Sequence, residues 1–100
     1  MVQIKWTLNA RDDLNNIAEY ISKDSVKYAK LQIIRIKQRT QVLKSQMHIG
    51  KPVPEHRTDA IREVLEGRYR IIYKIVSEKQ IDILTIHHSA RDLRKRNIIK

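Results

Sequence analysis

Cysteine and phenylalanine are both missing from this 100-residue chain, and glycine, proline and tryptophan are scarce at two, two and one. Without cysteine there is neither a disulfide framework nor a thiolate metal site. Without phenylalanine the core must come from isoleucine, valine, leucine, Trp6 and four tyrosines. Apolar runs last only a few residues, too short for a membrane-spanning helix. The opening Met1-Val2-Gln3-Ile4-Lys5-Trp6 lacks the basic and apolar regions of a signal peptide. These absences predict a cytoplasmic protein with one domain over residues 1–100 and no contact with a membrane.

Acidic residues are also few. Eleven Asp and Glu stand against 21 Lys and Arg, a net charge of +10. Such an excess repels itself in a compact fold. It points to a polyanion, an acidic protein or both as partner. The plain alternative is a basic surface that serves solubility alone.

Val2, Ile4 and Trp6 alternate with Gln3, Lys5 and Thr7, the pattern of a half-buried strand. Ala10, Leu14, Ile17, Ala18 and Ile21 then follow helical spacing, with Arg11, Asp12, Asp13, Asn15 and Asn16 on the outer face. Thr7 or Asn9 is the expected N-cap, which would put Asp12 and Asp13 in a first turn that favours carboxylates. Lys23-Asp24-Ser25 breaks the helix, and Asp24 or Ser25 can cap the next one. Val26, Ala29, Ile33, Ile36, Thr40, Leu43 and Met47 predict a long second helix, antiparallel to the first. Leu31 and Ile34 lie off that stripe.

Gly50-Lys51-Pro52-Val53-Pro54 forbids further helix. A long loop, roughly 47–59, leads to strands at about 60–65, 69–76 and 81–88, with turns at Glu66-Gly67 and at 77–80. Residues 92–96 could form a last helical turn. In the middle strand Tyr69, Ile71, Tyr73 and Ile75 make one apolar face, while Arg70, Ile72, Lys74 and Val76 make a cationic and greasy one. The second set is ill suited to sealing a core and suits a partner. The fold class is α+β: a strand, an antiparallel helix hairpin, then a three-stranded antiparallel meander.

This layout resembles the RelE/ParE superfamily of toxins from bacterial type II toxin–antitoxin pairs. The likeness runs through Trp6 to Ile21, Gly50-Lys51-Pro52-Val53-Pro54-Glu55, Ile61-Arg62-Glu63 and Tyr69-Arg70-Ile71-Ile72-Tyr73. It ends in Ile83-Leu84-Thr85-Ile86-His87-His88-Ser89-Ala90-Arg91-Asp92-Leu93. The resemblance implies a growth-inhibiting toxin of the plasmid-stabilisation kind, held in a hetero-oligomeric complex with an antitoxin. It implies one of two targets, DNA gyrase for the ParE branch or the ribosome and its messenger RNA for the RelE branch.

A metal-free ribonuclease needs a base, an acid and cations around the scissile phosphate. Arg70 matches the phosphate-holding arginine of the nuclease branch, Arg62 adds a second cation, and His88 is suited to acid–base work. Against this, the RelE type has lysines on the strand before its arginine and a tyrosine near its end. Here that strand carries Ile61, Arg62 and Glu63, and no tyrosine follows Tyr73. The run His88-Ser89-Ala90-Arg91-Asp92 matches the ParE ending without a gap, so the ParE branch is favoured. In either branch Arg70, Lys74, Arg91, Arg94, Lys95 and Arg96 are candidates for contact with target or nucleic acid. Leu31, Ile34, Ile72 and Val76 are candidates for an acidic antitoxin that folds on binding.

Structural readings of the same residues stand beside these. Arg70 can pair with Glu63 across the hairpin, Tyr69 and Tyr73 can be core, and Arg94-Lys95-Arg96 can be a solvated tail. His87 and His88 are adjacent in a strand and face opposite ways, so no metal site is expected, nor any cofactor. A degenerate toxin that only binds is the remaining alternative.

Overall fold

The first alternation becomes strand β1 (Gln3–Trp6), and Thr7 ends it by capping helix α1 (Leu8–Ser22). The computed structural model describes residues 1–56 and 58–88. Arg91, Arg94, Lys95, Arg96 and the expected turn at 92–96 lie outside the described residues. The Thr7 hydroxyl accepts from the Ala10 amide at 3.1 Å and lies within donating distance of the Ile83 carbonyl at 2.9 Å. One side chain thus starts the helix and ties it to the sheet.

Asp12 and Asp13 depart from expectation. With Leu8 as the first helical residue, both fall beyond the first turn. Asp13 also faces inward: it is buried, takes the Thr85 hydroxyl, and accepts the Ile86 amide at 3.1 Å. A short carboxylate on the inner face can satisfy a strand amide that would otherwise be buried unpaired.

Ser25 caps α2 (Val26–Val42), accepting from the Tyr28 amide at 3.1 Å. The helix is shorter than its stripe predicts. Beyond Val42 the chain closes in three-residue steps, Lys44 to Gln41 and Ser45 to Val42, both at 3.2 Å. These bonds tighten the last turn and carry Met47 to the end of the sheet, where its carbonyl accepts the Tyr73 hydroxyl at 2.8 Å.

The sheet has five strands in the order β1-β5-β4-β3-β2. Strands β3 (Ile61–Glu66), β4 (Tyr69–Ser77) and β5 (Gln80–His88) are the expected meander. β1 joins it in parallel, Gln3 opposite Gln80 and Trp6 opposite Ile83. The fifth strand was not expected: β2 (Lys51–Pro52), inside the long loop, pairs antiparallel with β3. Pro52 is tolerated there because β2 is an edge. The β3–β4 hairpin turns through Gly67 at φ +59°, with no other described residue at positive φ, as a II′ turn requires.

The helices cover one face of the sheet. Leu14, Ile36 and Leu43 pack there on Val64, Ile71, Tyr73, Ile81, Ile83 and Ile86. The other face corrects the sequence expectation. Arg70 and Ile72 are both buried, Ile72 completely, and Ile72 joins Val53, Ile61 and Leu84 in a second, smaller cluster. Leu84 reaches it because the β4–β5 register slips between Ile72 and Tyr73, leaving Leu84 as the extra residue. Only Lys74 and Val76 of this set are exposed.

Candidate functional site

Period-two alternation decides which sheet face each candidate occupies. Arg62 lies opposite Tyr73, and His88 opposite Tyr69, so both belong to the helix-covered face. Arg70 belongs to the other. Along the strands, Tyr69 and Tyr73 are four residues apart, which separates the levels of His88 and Arg62 by roughly 13 Å. The sheet therefore does not bring Arg70, Arg62 and His88 together on one substrate.

Each is also engaged. The Arg70 guanidinium forks onto Glu55 through two bonds of 2.9 Å, and its Nε donates to Glu63 at 2.6 Å. It is 8% exposed. Such planar, bidentate pairing is the strongest geometry a carboxylate offers an arginine. Glu55, and after it Glu63, raises the already high guanidinium pKa against the opposing effect of burial. The pairing with Glu63 is the cross-strand reading of Arg70. Glu55 is the partner the sequence reading missed, since fifteen residues of loop and strand separate it from Arg70 with no periodic pattern to link them.

Arg62 is bonded to the loop. Its Nε donates to the Asp59 carbonyl and its Nη1 to that of Gly50, both at 2.9 Å. Tyr73, fully buried, completes this anchor: its hydroxyl accepts from the Gly50 amide at 3.0 Å while donating to Met47. A Cβ at Gly50 would sit 2.5 Å from that hydroxyl and 2.6 Å from the Glu63 carbonyl oxygen, so only glycine fits. Burial, above all, raises the Tyr73 hydroxyl above its ordinary pKa.

His88 is half-buried and meets the Tyr69 ring edge-on, with centroids 5.7 Å apart. Among the described residues no three His, Cys, Asp or Glu side chains cluster to hold a metal.

The exposed apolar candidates lie on the helix hairpin. Leu31 is 41% and Ile34 50% exposed. Ile34, with Ala18, Val26, Ala29 and Ile33, lines an apolar groove of about 480 Å³ between α1 and α2, rimmed by Glu19 and Lys30. Val76 is exposed at the far end of β4. Ile72, being sealed, cannot share in such a surface. No described helix is long and apolar enough to cross a membrane.

The sequence profile described as the ParE toxin of the type II toxin–antitoxin system parDE matches residues 4–93. The chain belongs to this family. Among solved structures, this ParE-family chain is similar to the chromosomal ParDE toxin–antitoxin system of P. aeruginosa. That match has 25% identity and a TM-score of 0.71 over 88% of this chain and 96% of that one. A second likeness is to the RelBE2 toxin–antitoxin complex of Mycobacterium tuberculosis. Its 24% identity and TM-score of 0.54, over 87% and 96%, speak to the fold alone. No curated protein sequence matches the chain. The RelE/ParE fold expected from the sequence is thereby established, and ParE is the branch whose profile matches.

Proposed function

We propose that this ParE-family protein arrests bacterial growth by poisoning DNA gyrase, as the toxin of a plasmid-stabilising pair neutralised by its cognate antitoxin. The single observation that carries the choice of target is the placement of Arg70. It is consumed by two carboxylates on the sheet face opposite Arg62 and His88. A phosphate entering there would have to displace both carboxylates from a nearly buried guanidinium. That supports a toxin acting by protein contact over one cutting messenger RNA on this chain's own side chains.

The antitoxin half of the proposal rests on charge and on the helix hairpin. A net charge of +10 favours an acidic partner. The apolar groove beside Ile34, with Leu31 exposed on the same helix, suits an amphipathic segment that orders on binding. The similar solved ParDE system of P. aeruginosa supports the same partner class.

The test is a supercoiling assay with purified gyrase, run beside 5′-end mapping of messengers after induction in cells. Inhibited supercoiling with intact messengers is the expected result. Unimpaired gyrase with new 5′ ends at ribosome-occupied codons would make the protein a nuclease instead. Unimpaired gyrase together with intact messengers would leave a binding module.

A further inference from the structure

At the hairpin end of the molecule lie three tyrosines that the anchored loop does not use: Tyr20 and Tyr28, which are exposed, and Tyr69, which is half-buried against the edge of the core. Tyr20 and Tyr28 lie four residues on either side of Asp24, the centre of the break between α1 and α2. They are 72% and 49% exposed. Tyr69 starts β4 just beyond the Gly67-Arg68 turn and carries His88 edge-on against its ring. Burial first, and then the charges of Tyr28 and Tyr20, raise the Tyr69 hydroxyl above its ordinary pKa.

Cations continue this patch along α2. Tyr28, Gln32, Arg35 and Arg39 step by four, three and four, the spacing of one helix stripe. Gln32 is buried beneath it, its Oε1 4.0 Å from where a Cβ would stand on Gly67, which places the stripe against the β3–β4 turn. Arg39 closes onto the same strand end, its Nε donating to the Leu65 carbonyl at 3.2 Å. Arg35 is exposed on α2, and Arg68 is exposed in the turn itself. Glu66, the last residue of β3 and the register partner of Tyr69, and Asp24, between Tyr20 and Tyr28, are the opposing carboxylates.

We infer that Tyr20, Tyr28 and Tyr69, with Arg35, Arg39 and Arg68 beside them, form a platform for unpaired bases of single-stranded DNA. Exposed aromatic faces accept any base by stacking, and guanidinium groups track the phosphates without reading sequence. A duplex hides its base faces and meets only the charges. An acidic peptide would likewise use the cations but has little use for three phenols on the same end of the molecule. The choice of DNA over RNA rests on the gyrase reading, because gyrase works on DNA. The stacking geometry itself does not.

Fluorescence anisotropy of the full-length protein with short oligothymidine, the matching duplex and oligouridine tests this. Oligothymidine should bind at least about 10-fold tighter than duplex, with a log–log salt slope near −2 for three phosphate contacts. The double variant Tyr20→Ala/Tyr28→Ala should lose about 10-fold or more, while Tyr20→Phe/Tyr28→Phe keeps affinity, since phenylalanine stacks as well. Both sites are exposed, so thermal melts of the variants should match the parent. Equal binding of duplex and single strand, or no loss on the alanine changes, overturns the platform. Loss on the phenylalanine changes as large as on alanine overturns stacking as its basis. Tighter binding of oligouridine overturns the choice of DNA. Gyrase inhibition is read in parallel on the alanine variant. If oligothymidine does not bind yet gyrase is inhibited, the platform falls and the gyrase reading stands.

Discussion

The two faces of strand β4 are sealed by different physics. Toward the helices, Ile71 and Tyr73 join an apolar layer of isoleucine, leucine and valine from five other elements. Away from them, Ile72 has only Val53, Ile61 and Leu84 for company, and Arg70 closes the rest with two carboxylates. The first face tolerates imperfection because many contacts share the load. The second hangs on a few directional bonds to a loop that has only a two-residue strand of its own. A basic chain with few acids commits Glu55 and Glu63 to this one guanidinium, which marks the seal as structural.

Removing Arg70 should break the comparison most sharply. Arg70→Ala strands two largely buried carboxylates and is expected to cost about 3–5 kcal/mol, whereas an apolar replacement of the whole trio would be near neutral. Chemical denaturation of Arg70→Ala and of the triple variant Arg70→Met/Glu55→Leu/Glu63→Leu separates these outcomes. A mild loss in the single variant would mean the loop face is not sealed by charge. The opposite face is probed by Ile71→Ala, expected to cost about 2–5 kcal/mol through a cavity. Because that loss is not electrostatic, it should be insensitive to salt.

Tyr73 joins the two regions, its ring in the helix-side core and its hydroxyl on the loop. Tyr73→Phe leaves the ring packing but orphans the Gly50 amide, a loss of about 1–3 kcal/mol. Its ionisation gives a pH test. The Tyr73 and Tyr69 hydroxyls are raised in the folded protein, so the folded state holds those protons where the unfolded chain has begun to release them. Stability is then fully present below pH 10 and falls as pH rises through the folded values. Melts above pH 10 should show a shallower decline in Tyr73→Phe than in the parent. An identical decline would assign the alkaline loss elsewhere.

How far the sequence foretold this depends on the range over which a pattern repeats. Thr7 and Ser25 were legible as caps because capping is local, and the apolar parity of Tyr69, Ile71, Tyr73 and Ile75 because alternation is. Alternation says which residues share a face. It says nothing of which strand lies beside which, so the parallel neighbour β1 and the edge pair β2 stayed hidden. It also could not tell that the cationic set would be covered, because its lid comes from Val53 and Glu55 in a segment without periodicity. Asp13 was misplaced for a related reason. Helical spacing marks polar residues as outward, and only a strand amide needing an acceptor turns one inward.

The smallest effect is expected where the loop seal ends. Val76 shares its parity with Arg70 and Ile72 but stands exposed, beyond both clusters. Val76→Ser should therefore change stability by less than about 0.5 kcal/mol. Val53→Ala, at the heart of the small cluster, should cost on the order of 1.5 kcal/mol for its two buried methyl groups. Denaturant midpoints of the two variants map the boundary of the sealed area. Equal losses would mean that the seal runs the length of the strand, and the exposed remainder of this face would then be unavailable to any partner.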